Sequence, residues 1–203
     1  MFKFDDFLAR AKTRLLVEPP IDWNHSDDDM NEQARMIAVG VVAKPAAVLI
    51  GIVMRDQPCV IFTKRQDHLA KHPGQIAFPG GRVDEGETIL QAALREAEEE
   101  IALLPGLVSP LGYSDGFLTI THYRVTPVVA LVAPECDLHP HAGEVAEIFE
   151  VPLAFLMDEA NCQTQARVFQ GLARKFYVYQ FGDRYIWGAT AGMIRNLHDR
   201  LYA

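Results

Sequence analysis

Residues 78–103 read FPGGRVDEGETILQAALREAEEEIAL. The apolar spacing predicts a helix over 87–103, with Leu90, Ala93, Leu94, Ala97 and Ile101 forming a buried stripe. Glu96, Glu99 and Glu100 stand at i, i+3 and i+4 on nearly the opposite side, while Glu98 points elsewhere, into solvent. Like charges at these spacings cost a few tenths of a kcal/mol per pair. The helix dipole disfavours anions near its C-terminal end by roughly another 0.3–1 kcal/mol each. A divalent cation removes both objections, because hard oxygen donors are what Mg²⁺ or Mn²⁺ take. The bland alternative is a solvated acidic face. The flanking residues argue for the cation. Gly80 and Gly81 let the backbone approach a ligand closely and free a carbonyl as a further oxygen. Arg95 is placed to pair with Glu87 and so to tie the glycine loop to the helix.

The rest of the chain limits what this feature can serve. It has 203 residues, 49% hydrophobic and 23% charged, with a net charge of -8 and a pI near 5.3. That balance argues against a general binder of nucleic acid or of anionic membranes, which needs a basic face, and leaves a local basic patch open. The longest apolar stretch, 38–54, is interrupted by Lys44 and Pro45, so no run approaches the roughly 18 residues of a membrane span. The N-terminus lacks the features of a secretory signal. Cys59, Cys136 and Cys162 are odd in number and far apart, which suits a reduced cytoplasm rather than a disulfide framework or zinc site.

Phe4, Phe7, Leu8, Ala11, Leu15 and Leu16 recur at helical spacing and predict a helix over 4–16. The Pro pair and acid run of 17–30 read as a linker, making 1–35 an N-terminal extension of a single domain over 1–203. AAVLIGIVM and PCVIFTKR are predicted strands around the turn RDQ; SPLGYSDGF, HYRVTPVVALVA and AEIFEVPL supply more. Residues 152–160 are expected to be helical, with Pro152 in the first turn. KFYVYQFGDRYIWGA reads as a hairpin turning at Gly182-Asp183, followed by a closing helix over 189–202. Strands and helices interleave without a βαβ rhythm, which favours α+β or a mixed-sheet sandwich over a doubly wound fold.

Gly81, Glu87, Arg95, Glu96, Ala97, Glu99 and Glu100 stand at the spacings of the Nudix box, and the chain resembles that family. The resemblance implies an α/β/α sandwich with a mixed sheet. It also implies hydrolysis of a diphosphate linked to another group, with Mg²⁺ or Mn²⁺ held by Glu96, Glu99, Glu100 and the Gly81 carbonyl. The box usually ends in Gly where this chain has Ala102, which is expected to prolong the helix by a residue or so.

Upstream, IFTKRQDHLAKHPGQIAFPGG resembles the additional motif of the coenzyme A pyrophosphatase branch. Ile61-Phe62-Thr63, Arg65, Gly74 and 78–81 match in register. Gln66 replaces a Ser or Ala, and Ala70 stands where the branch has a second Arg, with Lys71 next to it. TPVV at 126–129 and IWGATAGMI at 186–194 are similar to the same branch. The resemblance implies cleavage of coenzyme A or a derivative to 3′,5′-ADP and 4′-phosphopantetheine. The extra phosphate of that substrate needs cations, for which Lys64, Arg65, Lys71 and Arg82 are candidates beside the backbone of Gly80 and Gly81; His72 reads as a loop residue. The general base is Glu96 itself or a loop carboxylate, Glu144 in its His/Pro/Gly setting, with Glu147 as runner-up. ADP-ribose, a dinucleotide or a nucleoside triphosphate stays open as substrate because of Ala70. A non-catalytic nucleotide sensor is disfavoured because every box carboxylate is present. A homodimer stays open through the 4–16 helix and the aromatics of KFYVYQF, for which core burial is the expected fate.

Overall fold

The computed structural model describes residues 2–22, 25–26, 42–70, 72–169 and 172–203. Most of the expected 17–35 linker, the start of the apolar stretch at 38–41 and Lys71 lie outside the described residues.

Two long strands form the spine. β2 (Lys44–Val53) and β8 (Tyr123–Val132) pair in parallel along their whole length. β3 (Cys59–Arg65) turns back antiparallel on β2 after the short polar turn and carries β4 (Ile76–Ala77) and β9 (Val145–Pro152). β5 (Gly80–Arg82) lies antiparallel on the first half of β2. β6 (Val108–Tyr113) and β7 (Phe117–Leu118) add to β8, and the two-residue β1 (His25–Ser26) adds to β7. Among the described residues these nine strands make one mixed sheet.

Both faces of the sheet are covered, which is why β2 is apolar nearly throughout rather than alternating. On one face Ala47, Leu49, Val53, Ile61, Val128, Ala130 and Val132 pack against α2 (Ile89–Ile101). On the other, Ala46, Ile50, Ile52, Phe62, Val125 and Val129 share a core with α1 (Phe4–Arg14) and α4 (Gly188–Tyr202). A second sheet, β10 (Cys162–Phe169), β11 (Leu172–Phe181) and β12 (Arg184–Trp187), follows the short helix α3 (Leu153–Leu156). The helix–sheet–helix layering expected from the sequence is the observed one.

Several local expectations need correction. α1 ends at Arg14 rather than residue 16, because Leu16 leaves the helix to bridge Tyr113 in an extended conformation. Helix 152–160 shrinks to one turn, with Pro152 as its N-cap. β10 was not foreseen: residues 163–168 are exposed, and without burial the sequence carries no alternating apolar pattern. The hairpin at Gly182 is present, and Tyr179 on it is buried in the core.

Candidate active site

The glycine turn is fixed from below. Phe78 is buried and its ring stacks on Phe62 at 4.9 Å, while Pro79 O accepts from Leu49 N at 2.8 Å. Gly80 then crosses β2 so closely that a Cβ there would lie 2.3 Å from Ala47 O and 2.7 Å from Val48 Cα. Only glycine permits that approach.

α2 delivers the carboxylates to this turn. Thr88 and Gln91 form a reciprocal capping box at its N-terminus, Gln91 N donating to Thr88 Oγ1 at 3.2 Å and Thr88 N to Gln91 Oε1 at 2.9 Å. Its other end corrects an expectation. Ala102 does not prolong the helix but takes the left-handed conformation, φ 57°, in place of the usual Gly. Ala102 N donates to Glu98 O at 2.9 Å, the single bond of an αL cap, Leu103 N reaches back to Ala97 O at 3.3 Å, and Leu103 is buried.

The buried face also differs from the expected stripe. Ala92, Ala93, Ala97, Ile101 and Glu100 are buried, whereas Leu90 and Leu94 are only half-buried. The three glutamates are therefore inequivalent. Glu100 is 6% exposed and turned inward, Glu96 has 18% of its side chain exposed, and Glu99 has 61%. Glu98 is exposed as expected. Gly80 N donates to Glu100 Oε2 at 3.2 Å, and Arg65 Nη1 lies 3.8 Å from Glu100 Oε1. A Cβ on Gly81 would fall 2.3 Å from Glu96 Oε1. Each glycine of the turn thus faces one carboxylate.

Arg95 binds the assembly together. Its Nε and Nη2 donate to Glu87 at 2.9 and 3.1 Å, its Nη1 to Glu96 at 3.0 Å and Glu99 at 3.1 Å, and its Nη2 also to Arg82 O at 3.0 Å. The expected Arg95–Glu87 pair is present. The Arg95 hydrogen bond holds Glu87 below the usual carboxylate range. Burial pushes Glu96 up, against the pull of Arg95. Burial also pushes Glu100 up to about 7, only partly opposed by the Gly80 N–H.

Glu144 occupies an exposed turn beside these groups, close enough for its charge to help raise both Glu96 and Glu100. Glu147 does not share that freedom. Arg184 forks onto both its carboxylate oxygens and lies 4.7 Å over the Phe149 ring, so the runner-up base is committed to an ion pair. Arg65 is part-buried with its Nε lacking a hydrogen-bond partner, while its Nη1 approaches Glu100. Lys64 is half-buried on β3, opposite Ile76 and Glu147. Arg82 is exposed, its guanidinium 6.0 Å over the Tyr123 ring rather than on a carboxylate. Ala70 is exposed, His72 sits in an exposed loop at φ 54°, and Lys71 lies outside the described residues.

Among the described residues, no group of three or more His, Cys, Asp or Glu side chains is arranged so that it could hold a metal ion as it stands. The donor set nevertheless suits a hard one. Glu96 and Glu100 are negative groups sunk between α2 and the glycine turn, and both are held above their ordinary range. Arg95 occupies Glu96 and Glu99, so a cation drawing on all three would take those two from it.

A model of the NUDIX domain matches residues 43–172, well over half of the chain. The chain belongs to the Nudix hydrolase family. Relatives agree over nearly the full length. A protein of Escherichia fergusonii named "Uncharacterized Nudix hydrolase NudL" is 41% identical over 194 residues, covering 95% of this chain and 92% of that one. Its namesake in Enterobacter sp. (strain 638) is 37% identical over the same coverage. Among solved structures, DR0079 from Deinococcus radiodurans superposes with a TM-score of 0.50 at 15% identity, over 79% of this chain and 83% of that one, a likeness of fold. No helix among the described residues of this Nudix hydrolase is long and apolar enough to cross a membrane. Sequence reasoning missed the capping box at Thr88 and Gln91, although its signature is written in the residues. It also registered Gln66 only as a mismatch. The structure shows Gln66 bonded to the turn that carries Glu144.

Proposed function

We propose that this Nudix hydrolase cleaves the diphosphate of coenzyme A or one of its derivatives, giving 3′,5′-ADP and 4′-phosphopantetheine. The observation that carries the proposal is the meeting of two motifs at one place. Arg65, from the segment similar to the coenzyme A branch, lies 3.8 Å from Glu100 of the box.

Mg²⁺ or Mn²⁺ would be held by Glu96, Glu99, Glu100 and the Gly81 carbonyl. Bound there, the cation neutralises charge on the diphosphate and acidifies water. The chain's own groups supply the rest. Arg65, part-exposed at the edge of the carboxylates and with the forked geometry of a guanidinium, grips a non-bridging phosphate oxygen. Glu144 accepts a proton from the attacking water as its oxygen bonds to phosphorus. The bridging P–O bond breaks, and its electron pair leaves with the other phosphate. Arg95 positions the carboxylates through Glu87 and the Arg82 carbonyl. Lys64, Lys71 and Arg82 are the further cations for the remaining phosphate, and the reduced cytoplasm is the proposed compartment.

The uncharged, exposed Ala70 favours a second reading, in which the diphosphate belongs to ADP-ribose, a dinucleotide or a nucleoside triphosphate. Incubating the protein and Mn²⁺ with coenzyme A, acetyl-coenzyme A, ADP-ribose, NADH and dGTP, then separating the products, decides between them. Preferential release of 3′,5′-ADP supports the first reading. Turnover confined to the other substrates overturns it.

A further inference from the structure

Residue 66 is small in the motif this segment resembles; here it is a glutamine, and its side chain has a defined job to do. Gln66 Nε2 donates to Ala142 O at 3.1 Å and to Val145 O at 3.3 Å, while Gln66 N donates to Glu144 O at 2.9 Å. A serine or alanine could keep only the last of these. Three hydrogen bonds from one residue thus span the segment that presents Glu144.

The same turn is held from its other side. Glu144 N and Val145 N both donate to His141 O, at 3.0 and 2.9 Å, and His141 N donates to Glu100 O at 2.8 Å. His139 N donates to Ile101 O at 3.0 Å, so the loop also closes the C-terminal end of α2. The register of β9 on β3 shifts at the same place: Lys64 pairs with Glu147, but Arg65 pairs with Val145, leaving Ala146 as a bulge. Bulges bend a strand and redirect the residues that follow its regular part. The backbone bonds at His141 and Glu144 fix the two ends of this exposed His-Ala-Gly-Glu turn, but Gly143 between them adds backbone freedom and no side chain, so the Gln66 carboxamide is the side-chain contact that holds its middle. Gln66 supplies the anchor, next in the chain to Arg65.

We propose that Gln66 is a positioning residue of the hydrolytic site, whose carboxamide holds the 142–145 turn so that the Glu144 carboxylate stays beside Glu96 and Glu100. The inference rests on Glu144 acting as the base. The chain thereby couples its phosphate-gripping residue and its base through adjacent positions, 65 and 66.

The test is a double-mutant cycle on the full chain with the substrate that the panel identifies and saturating Mn²⁺. Glu144→Ala is expected to lower kcat by about 100-fold or more. Gln66→Ala and Gln66→Ser are each expected to lower kcat about tenfold, since a small misplacement of a catalytic group is costly. KM should stay within about twofold and the melting temperature close to that of the parent, as residue 66 is only part-buried. In the Glu144→Ala background, Gln66→Ala should have almost no further effect on kcat. Parental kcat in both Gln66 variants, with Glu144→Ala impaired, overturns the positioning role and leaves the base standing. Additive losses overturn it as well, because Gln66 would then act elsewhere. Parental kcat in Glu144→Ala removes the base assignment itself. A loss that appears in KM alone assigns Gln66 to substrate binding instead.

Discussion

The carboxylate of Glu96 fills the space in which a side chain on residue 81 would stand: a Cβ on Gly81 would lie 2.3 Å from Glu96 Oε1 and 2.4 Å from its Cδ. The glycine in this position is therefore a requirement of the acid opposite it, quite apart from any carbonyl it offers a cation. Gly81→Ala should push Glu96 away from the turn and lower kcat by about 100-fold or more, because the acid is displaced by over an ångström. Circular dichroism should show a retained fold. Parental activity in this variant would mean that Glu96 need not lie against the turn.

Glu100 is the costliest of the three acids in the absence of a cation. Its carboxyl is raised from an ordinary 4.5 to about 7, chiefly by burial. Its contribution to stability is thus complete below pH 4.5 and is lost as the pH rises through about 7. Glu100→Gln, in chelator-treated protein at pH 8, should raise unfolding stability by about 1–3 kcal/mol. The gain should vanish near pH 4.5, and the same variant should lose turnover. Urea titrations at the two pH values test this; a variant less stable than the parent at pH 8 would contradict it.

Ala102 adopts a left-handed conformation that costs a residue with a Cβ roughly 1–2 kcal/mol. Ala102→Gly relieves that strain while adding unfolded-chain entropy. A net stabilisation of about 0.5–1 kcal/mol is expected. Urea denaturation measures it, and a destabilised variant would show that the cap is set by something other than backbone strain.

Arg65→Ala should raise KM about tenfold or more, with a smaller change in kcat, if it grips phosphate as proposed. Arg65→Lys should recover part of the loss through charge alone. Steady-state kinetics give both constants, and an unchanged KM would remove Arg65 from the substrate site.

The grouping of the candidate site was legible because Gly81, Glu87, Arg95, Glu96, Glu99 and Glu100 recur at fixed spacings: Arg95 joins Glu87, Glu96 and Glu99, and Glu96 lies against Gly81, whereas Glu100 meets Gly80 and Arg65 instead. The burial of Glu100 was not legible. A helical wheel assumes one buried side, whereas α2 packs both on the sheet and against the glycine turn of β5, which covers the neighbouring flank as well. Ala102 misled for a related reason: its helix propensity says nothing of the Leu103 anchor that ends the helix there. Gln66 could be noticed only as a departure from a pattern, because its partners lie 76 and 79 positions away in the chain. The β10 strand left no trace, since exposed positions such as Gln163, Gln165 and Arg167 are free of the alternation that burial imposes.

The most direct measurement is a titration of the protein with Mn²⁺, following the free ion by electron paramagnetic resonance in the presence and absence of the substrate diphosphate. The parent chain should remove Mn²⁺ from solution, more strongly with substrate, and the Glu96→Gln/Glu100→Gln double variant should lose that binding while remaining folded. Equal Mn²⁺ uptake by parent and variant would place the cation elsewhere and contradict the assignment of these glutamates.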